Sequence, residues 1–170
     1  MLVSRDKITH ISHTSIKRDQ CELTVKGDFF VSNLSDQDVA LFTETTRAIT
    51  VEVQAYFLDD QSSPIDNIYV WAYHVHIKNN GQQQVQLLNR YWSITDETGN
   101  VQEVRGEGVV GEQPVLKPGE SFEYTSGTPL PTPSGFMLGA YQMVCADGEE
   151  FDAAVPAFSL DSPHHTQKLH

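Results

Sequence analysis

From Ile49 onward the chain is written in period two. ITVEVQAYF sets Ile49, Val51, Val53, Ala55 and Phe57 against polar neighbours. Successive side chains of a strand point to opposite faces, so this alternation predicts a half-buried strand. YVWAYHVHIKN places Trp71, Tyr73, Val75 and Ile77 on one face, and VQLLNRYWSIT places Leu88, Trp92 and Ile94 on one parity. VQEV, SFEYTS, FMLGAYQMV and EEFDAAVPAFSL continue the pattern. Turn signals divide these runs. QSSPIDN breaks the chain, Asn80-Gly81 predicts a tight hairpin because both residues tolerate φ > 0, and DETGN turns into VQEV. Pro118-Gly119 is the pair a type II turn prefers. TPLPTPSG is a proline-rich crossing that excludes helix, and Ala146-Asp147-Gly148 predicts the last turn. No segment after residue 48 carries a 3.6-residue period.

Seven to eight such strands, with turns every 8–12 residues, predict an all-β protein: an antiparallel β-sandwich. Tyr141 lies two residues before Met143, the spacing of the tyrosine corner in immunoglobulin-type sandwiches; the alternative is a plain core aromatic. Residues 1–47 read differently. CELTV and DFFVS are weakly strand-like and SDQDVALF offers a helix start at Ser35. The expected organisation is a mobile N-terminal extension over residues 1–47, a domain over 48–161 and a frayed polar tail over 162–170.

Composition narrows the function classes. Apolar residues make up 39% of the chain and charged residues 20%, enough for an ordinary core. No run approaches the ~20 apolar residues of a membrane span, so no membrane insertion is expected. The first residues lack an apolar signal-peptide region, which points to the cytoplasm. Cys21 and Cys145 are far apart and in no C-x-x-C pair, so both are expected as free thiols in a reducing compartment. The net charge is −12, and residues 48–170 hold five Lys/Arg against sixteen Asp/Glu. That surface repels a phosphate backbone, so nucleic acid is not an expected partner.

Candidate chemistry begins with RGEGVVGEQ, in which Gly106, Gly108 and Gly111 spell G-x-G-x-x-G. A dinucleotide loop must open a helix whose N-terminus holds the pyrophosphate. Pro114 and Pro118 follow too closely for a helix, and no βαβ unit follows. The glycines are therefore expected to supply φ > 0, bulges or close backbone approach first. Arg90 and Arg105 are two of the five basic residues after residue 48. Arg90 shares parity with Trp92 and Leu88 and is expected to be partly buried and to pair with Glu103, Glu107 or Glu123; the alternative is that both arginines form with the glycine loop a patch for a partner or an anion. His74 and His76 share one face of a strand, opposite Trp71, Tyr73 and Val75, and are expected toward solvent; a metal there would need a third ligand from a neighbouring strand. Asp59-Asp60 and Glu149-Glu150 are adjacent acids without the spacing of a coordination loop. No G-x-S-x-G elbow is present. No catalytic residue, metal site or cofactor is assigned.

The segments QSSP, YVWAYHVHIKN, VQLLNRYW, VQEVRGEGVVGEQPVLKPGESFEYTSG, TPSGFMLGAYQMV and FDAAVPAFSL together resemble the ApaG family, in one collinear match from about Ile49 to Leu160. The resemblance implies a fibronectin type III-like β-sandwich. It also implies a genetic link to cobalt tolerance and magnesium efflux, the source of the family's other name, CorD. Related domains in eukaryotic F-box proteins and in a polymerase-δ-interacting protein look like interaction modules. The expected function is a non-catalytic protein-binding domain, with homodimerisation through edge strands as one form of assembly. The alternatives are a pyrophosphate or nucleotide module using the glycine loop, and a direct divalent-metal binder.

Overall fold

The structure, a computed structural model, describes residues 23–24 and 39–165. DFFVS, the helix start at Ser35, Cys21 and tail residues 166–170 lie outside the described residues. The strands are β1 (Leu23–Thr24), β2 (Phe42–Thr46), β3 (Ile49–Phe57), β4 (Tyr69–Asn79), β5 (Val85–Asp96), β6 (Val101–Glu107), β7 (Val115–Leu116), β8 (Ser121–Leu130), β9 (Ser134–Cys145) and β10 (Glu150–Asp161). Two short 3-10 turns separate β3 from β4. No helix among the described residues is long and apolar enough to cross a membrane.

Two antiparallel sheets form a β-sandwich. The first runs β1-β8-β4-β3-β2, and the second runs β10-β9-β5-β6 with β7 on the start of β5. The period-two pattern explains the layering. Val51, Val53, Trp71, Tyr73, Val75 and Ile77 turn inward from the first sheet and meet Leu87, Trp92, Ile94, Met137, Tyr141, Met143 and Phe158 of the second. Trp92 is the hub, with ring centroids 5.4 Å from Tyr73, 6.1 Å from Tyr141 and 6.1 Å from Phe158. These edge-on geometries suit the aromatic quadrupole. Tyr141 is fully buried, and its hydroxyl shares a 2.5 Å hydrogen bond with that of Tyr124 on the opposite sheet. The tyrosine thus clamps the two layers across the core.

Three expectations are corrected. Asn80-Gly81 does not close a hairpin: neither residue has positive φ, and the segment carries the chain from the first sheet to the second. Asn79 holds that crossing instead. It is buried; its amide donates to Gln83 O and Leu116 O, and its Oδ1 accepts from Gly81 N. The two-residue hairpin is at Arg47-Ala48, between β2 and β3, where φ is 47° and 64°. Positive φ at both central residues matches strand twist in a two-residue loop. β2 therefore lies in the sheet ahead of residue 48. Second, Leu88 does not share the core parity of Trp92: a register shift between Leu87 and Asn89 turns Leu87 inward. An extra residue in one strand reverses the face of everything before it. Third, TPLPTPSG is not wholly a crossing, because Thr128–Leu130 complete β8. The Pro118-Gly119 turn is as expected, with Gly119 at φ 85° and Glu120 N donating to Lys117 O.

Candidate functional site

The glycine loop grows out of β6. Arg90 stands opposite Gly106, Tyr91 opposite Arg105, and Asn89 opposite Glu107. Gly106 leaves space for a guanidinium: a Cβ at that position would lie 2.7 Å from Arg90 Nη1. Through that gap Arg90 Nη1 donates to the carbonyls of Glu107 (3.1 Å) and Gly108 (3.0 Å). These bonds tie Arg90 to the loop carbonyls, and of Glu107 it is the backbone oxygen that accepts. Gly108 has φ 61°, and a Cβ there would sit 2.2 Å from Glu112 O. Gly111 also has positive φ, as does Val110 between them.

The loop is closed by its own backbone. Gly108 N donates to Leu88 O, Val109 N to Glu112 O, and Glu112 N to Val109 O. Gln113 Nε2 donates to Leu88 O at 2.9 Å. Three of the amides that a phosphate cradle would aim outward are thus bonded to carbonyls. No helix follows; the chain passes from the loop into β7.

Beside the loop the outer face of the second sheet forms an open depression of about 750 Å³, lined by Asn89, Arg90, Tyr91, Arg105, Glu107, Gln142 and Asp152 among others. Arg105 lies over the Tyr91 ring, 4.3 Å from its centroid, a cation–π contact. The Tyr91 hydroxyl donates to Glu103 Oε1 at 2.6 Å, and that bond, reinforced by desolvation, raises the phenol above its ordinary pKa. Asn89 Nδ2 donates to Gln142 Oε1 (2.6 Å), and Gln142 Nε2 to Glu150 Oε2 (2.8 Å). A polar ladder therefore crosses β5, β9 and β10. Arg90, Gly106, Gly108 and Gly111 come together at the loop, with Arg90 on the inward parity of Trp92 and opposite buried Tyr141, whereas Arg105 projects onto the outer face over Tyr91.

Sequence reading missed what continues the face. Val101 is 61% exposed, Phe136 44% and Leu138 38%. Thr95 pairs with both Val101 and Phe136, so the two lie on one row across three strands, with Leu138 two residues farther along β9. Alternation along β9, with Met137 buried between Phe136 and Leu138, was the signal that locates them. The Ala146-Asp147-Gly148 turn also gathers Cys145, Asp147 and Glu149, whose ligating atoms lie within 4.8 Å of one another. Glu149 there accepts an ion pair from Arg47 at 2.7 Å. Cys145 is a free thiol, and burial, aided by the two carboxylates, raises its pKa. His74 and His76 lie on the outer face of the first sheet, across the sandwich from the depression.

A family model described as the ApaG domain matches residues 59–145. The chain belongs to the ApaG family. Protein ApaG of Paramagnetospirillum magneticum is 63% identical over 129 residues, covering 76% of this chain and 99% of that protein. Protein ApaG of Rhodospirillum centenum is 63% identical over 124 residues, covering 73% and 95%. A crystal structure of a Bordetella pertussis protein described as ApaA is 49% identical with a TM-score of 0.67, covering 69% of this chain and 95% of that one. The ApaG match spans the first 3-10 turn after β3 through the end of β9, so it includes the glycine loop, both arginines and the exposed row.

Proposed function

We propose that this ApaG domain is a non-catalytic protein-interaction module of the cytoplasm, coupled to cobalt tolerance and magnesium efflux as the family resemblance implies. The observation that carries the reading is the apolar row Val101, Phe136 and Leu138 on an outer sheet face. Val101 and Phe136 flank Thr95 on that row, and apolar side chains grouped on one face favour an interaction surface where scattered ones would be ordinary. Tyr91 and Arg105 extend the row, and tyrosine and arginine are enriched where interfaces draw their energy. Glu103 and Glu107 on β6 rim it with negative charge. A partner with an apolar centre and basic margins complements such a face.

The pyrophosphate or nucleotide reading is supported by Arg90 and Arg105 beside Gly106, Gly108 and Gly111. It is opposed by the loop amides and the Arg90 Nη1 already bonded to carbonyls. The deciding comparison is affinity capture with the wild type and a Phe136→Ser/Leu138→Ser variant whose melting temperature is unchanged. Proteins held by the wild type and released by the variant are expected. Identical recovery from both would overturn this surface as the interface.

A further inference from the structure

We propose that the outer face of the first sheet carries a transition-metal site, with His74 and His76 supplying imidazole nitrogens and Glu123 a carboxylate oxygen. The site lies on the opposite face from the proposed interaction surface and does not depend on it.

The two histidines are i, i+2 on β4, which runs between β3 and β8, so both rings project from one face. Their side chains are 35% and 31% exposed, open to an ion yet flanked by neighbours. Each ring is steered through Nδ1 by a different neighbouring strand. His76 Nδ1 meets Glu52 Oε2 at 3.1 Å, and His74 Nδ1 meets Thr125 Oγ1 at 2.9 Å. For His76 to donate Nδ1–H to a carboxylate places the lone pair on Nε2. A metal-binding imidazole is oriented in this way by a partner on its other nitrogen.

Glu123 supplies the third ligand. It stands directly opposite His76 across the β4–β8 ladder, and its Oε2 lies 3.4 Å from His74 Nε2. That distance is long for a charge-assisted hydrogen bond. It is close to the separation of two ligands on one tetrahedral ion, about 3.3 Å for metal–ligand bonds of about 2.0–2.1 Å, but the three ligand atoms do not all lie within 4.8 Å of one another, so an ion must draw the His76 ring toward the pair. Glu123 is 67% exposed at its side chain, so its carboxylate can turn between the rings as the ion draws them together. Two imidazoles and one carboxylate, completed by water, suit Zn²⁺ or Cu²⁺; Mg²⁺ and Ca²⁺ prefer all-oxygen shells.

The test is calorimetric titration of the full chain with Zn²⁺ and separately with Cu²⁺, in excess Mg²⁺. Other histidines and the Cys145 group are internal competitors, so the variants decide. We expect a site lost, or weakened at least tenfold, in both His74→Ala and His76→Ala, and retained in Cys145→Ala. Metal-free melts of each variant should match the wild type, since the rings lie outside the core. His76→Gln provides a second, less disruptive removal. Absence of binding to the wild type, or unchanged affinity and stoichiometry in the His74→Ala/His76→Ala double variant, overturns the proposal.

Discussion

At Gly108 two independent constraints coincide. The backbone is left-handed, which costs a residue with a Cβ about 1–2 kcal/mol, and the Cβ itself would collide with the Glu112 carbonyl. Gly108→Val is therefore expected to lower the melting temperature by at least a few degrees, while millimolar ATP or pyrophosphate leaves the wild-type melt unchanged. A ligand at 100 times its dissociation constant would add about 2.7 kcal/mol, well within the reach of thermal melts. Asp96 is the clearest pH-sensitive residue. The Thr98 hydroxyl, then Asn100, bond its carboxylate and hold its pKa below the ordinary value, against the effect of burial. The sign follows from linkage. A carboxyl with a depressed folded pKa contributes its full stabilisation above the unfolded value, about 3.9, and loses it as pH falls through the folded value. Melts of Asp96→Asn should fall below the wild type at neutral pH and approach it in acid. At Cys145 the raised pKa leaves little thiolate at neutral pH, so alkylation is expected to run slower than for a free cysteine and to accelerate with rising pH.

At the scale of the element, the β2–β3 hairpin inverts the usual signal. Arg47-Ala48 holds positive φ without a glycine, because Arg47 pairs with Glu149 and lies over Phe151, and the strands on both sides are locked in register. Ala48→Gly is expected to stabilise by up to about 1 kcal/mol by removing the left-handed penalty, offset in part by unfolded-state entropy. Ala48→Val should destabilise, since a β-branched side chain is poorly accommodated there. Thermal melts that rank Val above Gly would show that the turn conformation differs from the one described. Asn80-Gly81 has the stronger local turn chemistry and loses to the buried Asn79, whose five partners span two loops and β7. β5 teaches the same lesson: its alternation was legible, but the bulge after Leu87 was not, since nothing local marks it.

At the scale of the molecule, the order of strands leaves β6, β10 and β2 as sheet margins among the described residues, where β1 pairs with β8 at Ser126 and Gly127. Removing residues 1–38 is expected to keep the sandwich cooperative and within a few degrees of the full chain. Removing residues 1–47 strips β2, including the Phe42 ring 6.4 Å from Phe158, and should lower the melt further. A smaller loss for the longer deletion would contradict this packing. Homodimerisation through an open margin predicts a concentration-dependent mass in sedimentation equilibrium; a monomer at all concentrations removes it.

Periodicity, turn residues and the dense family motifs were enough for the β class, the sandwich and the ApaG assignment, because side-chain alternation is a local property of each strand. They also sufficed to deny the glycine motif a helix, since Pro114 and Pro118 are local too. What joins which strand is not local. Only the tertiary structure placed Arg90 through the gap at Gly106 onto the loop carbonyls, joined Tyr124 to Tyr141 across the core, and set Glu123 beside His74. These contacts link residues that are far apart along the chain or separated by a turn, and their geometry comes from sheet register. Register follows from the packing of whole faces against each other, which no short stretch of sequence encodes.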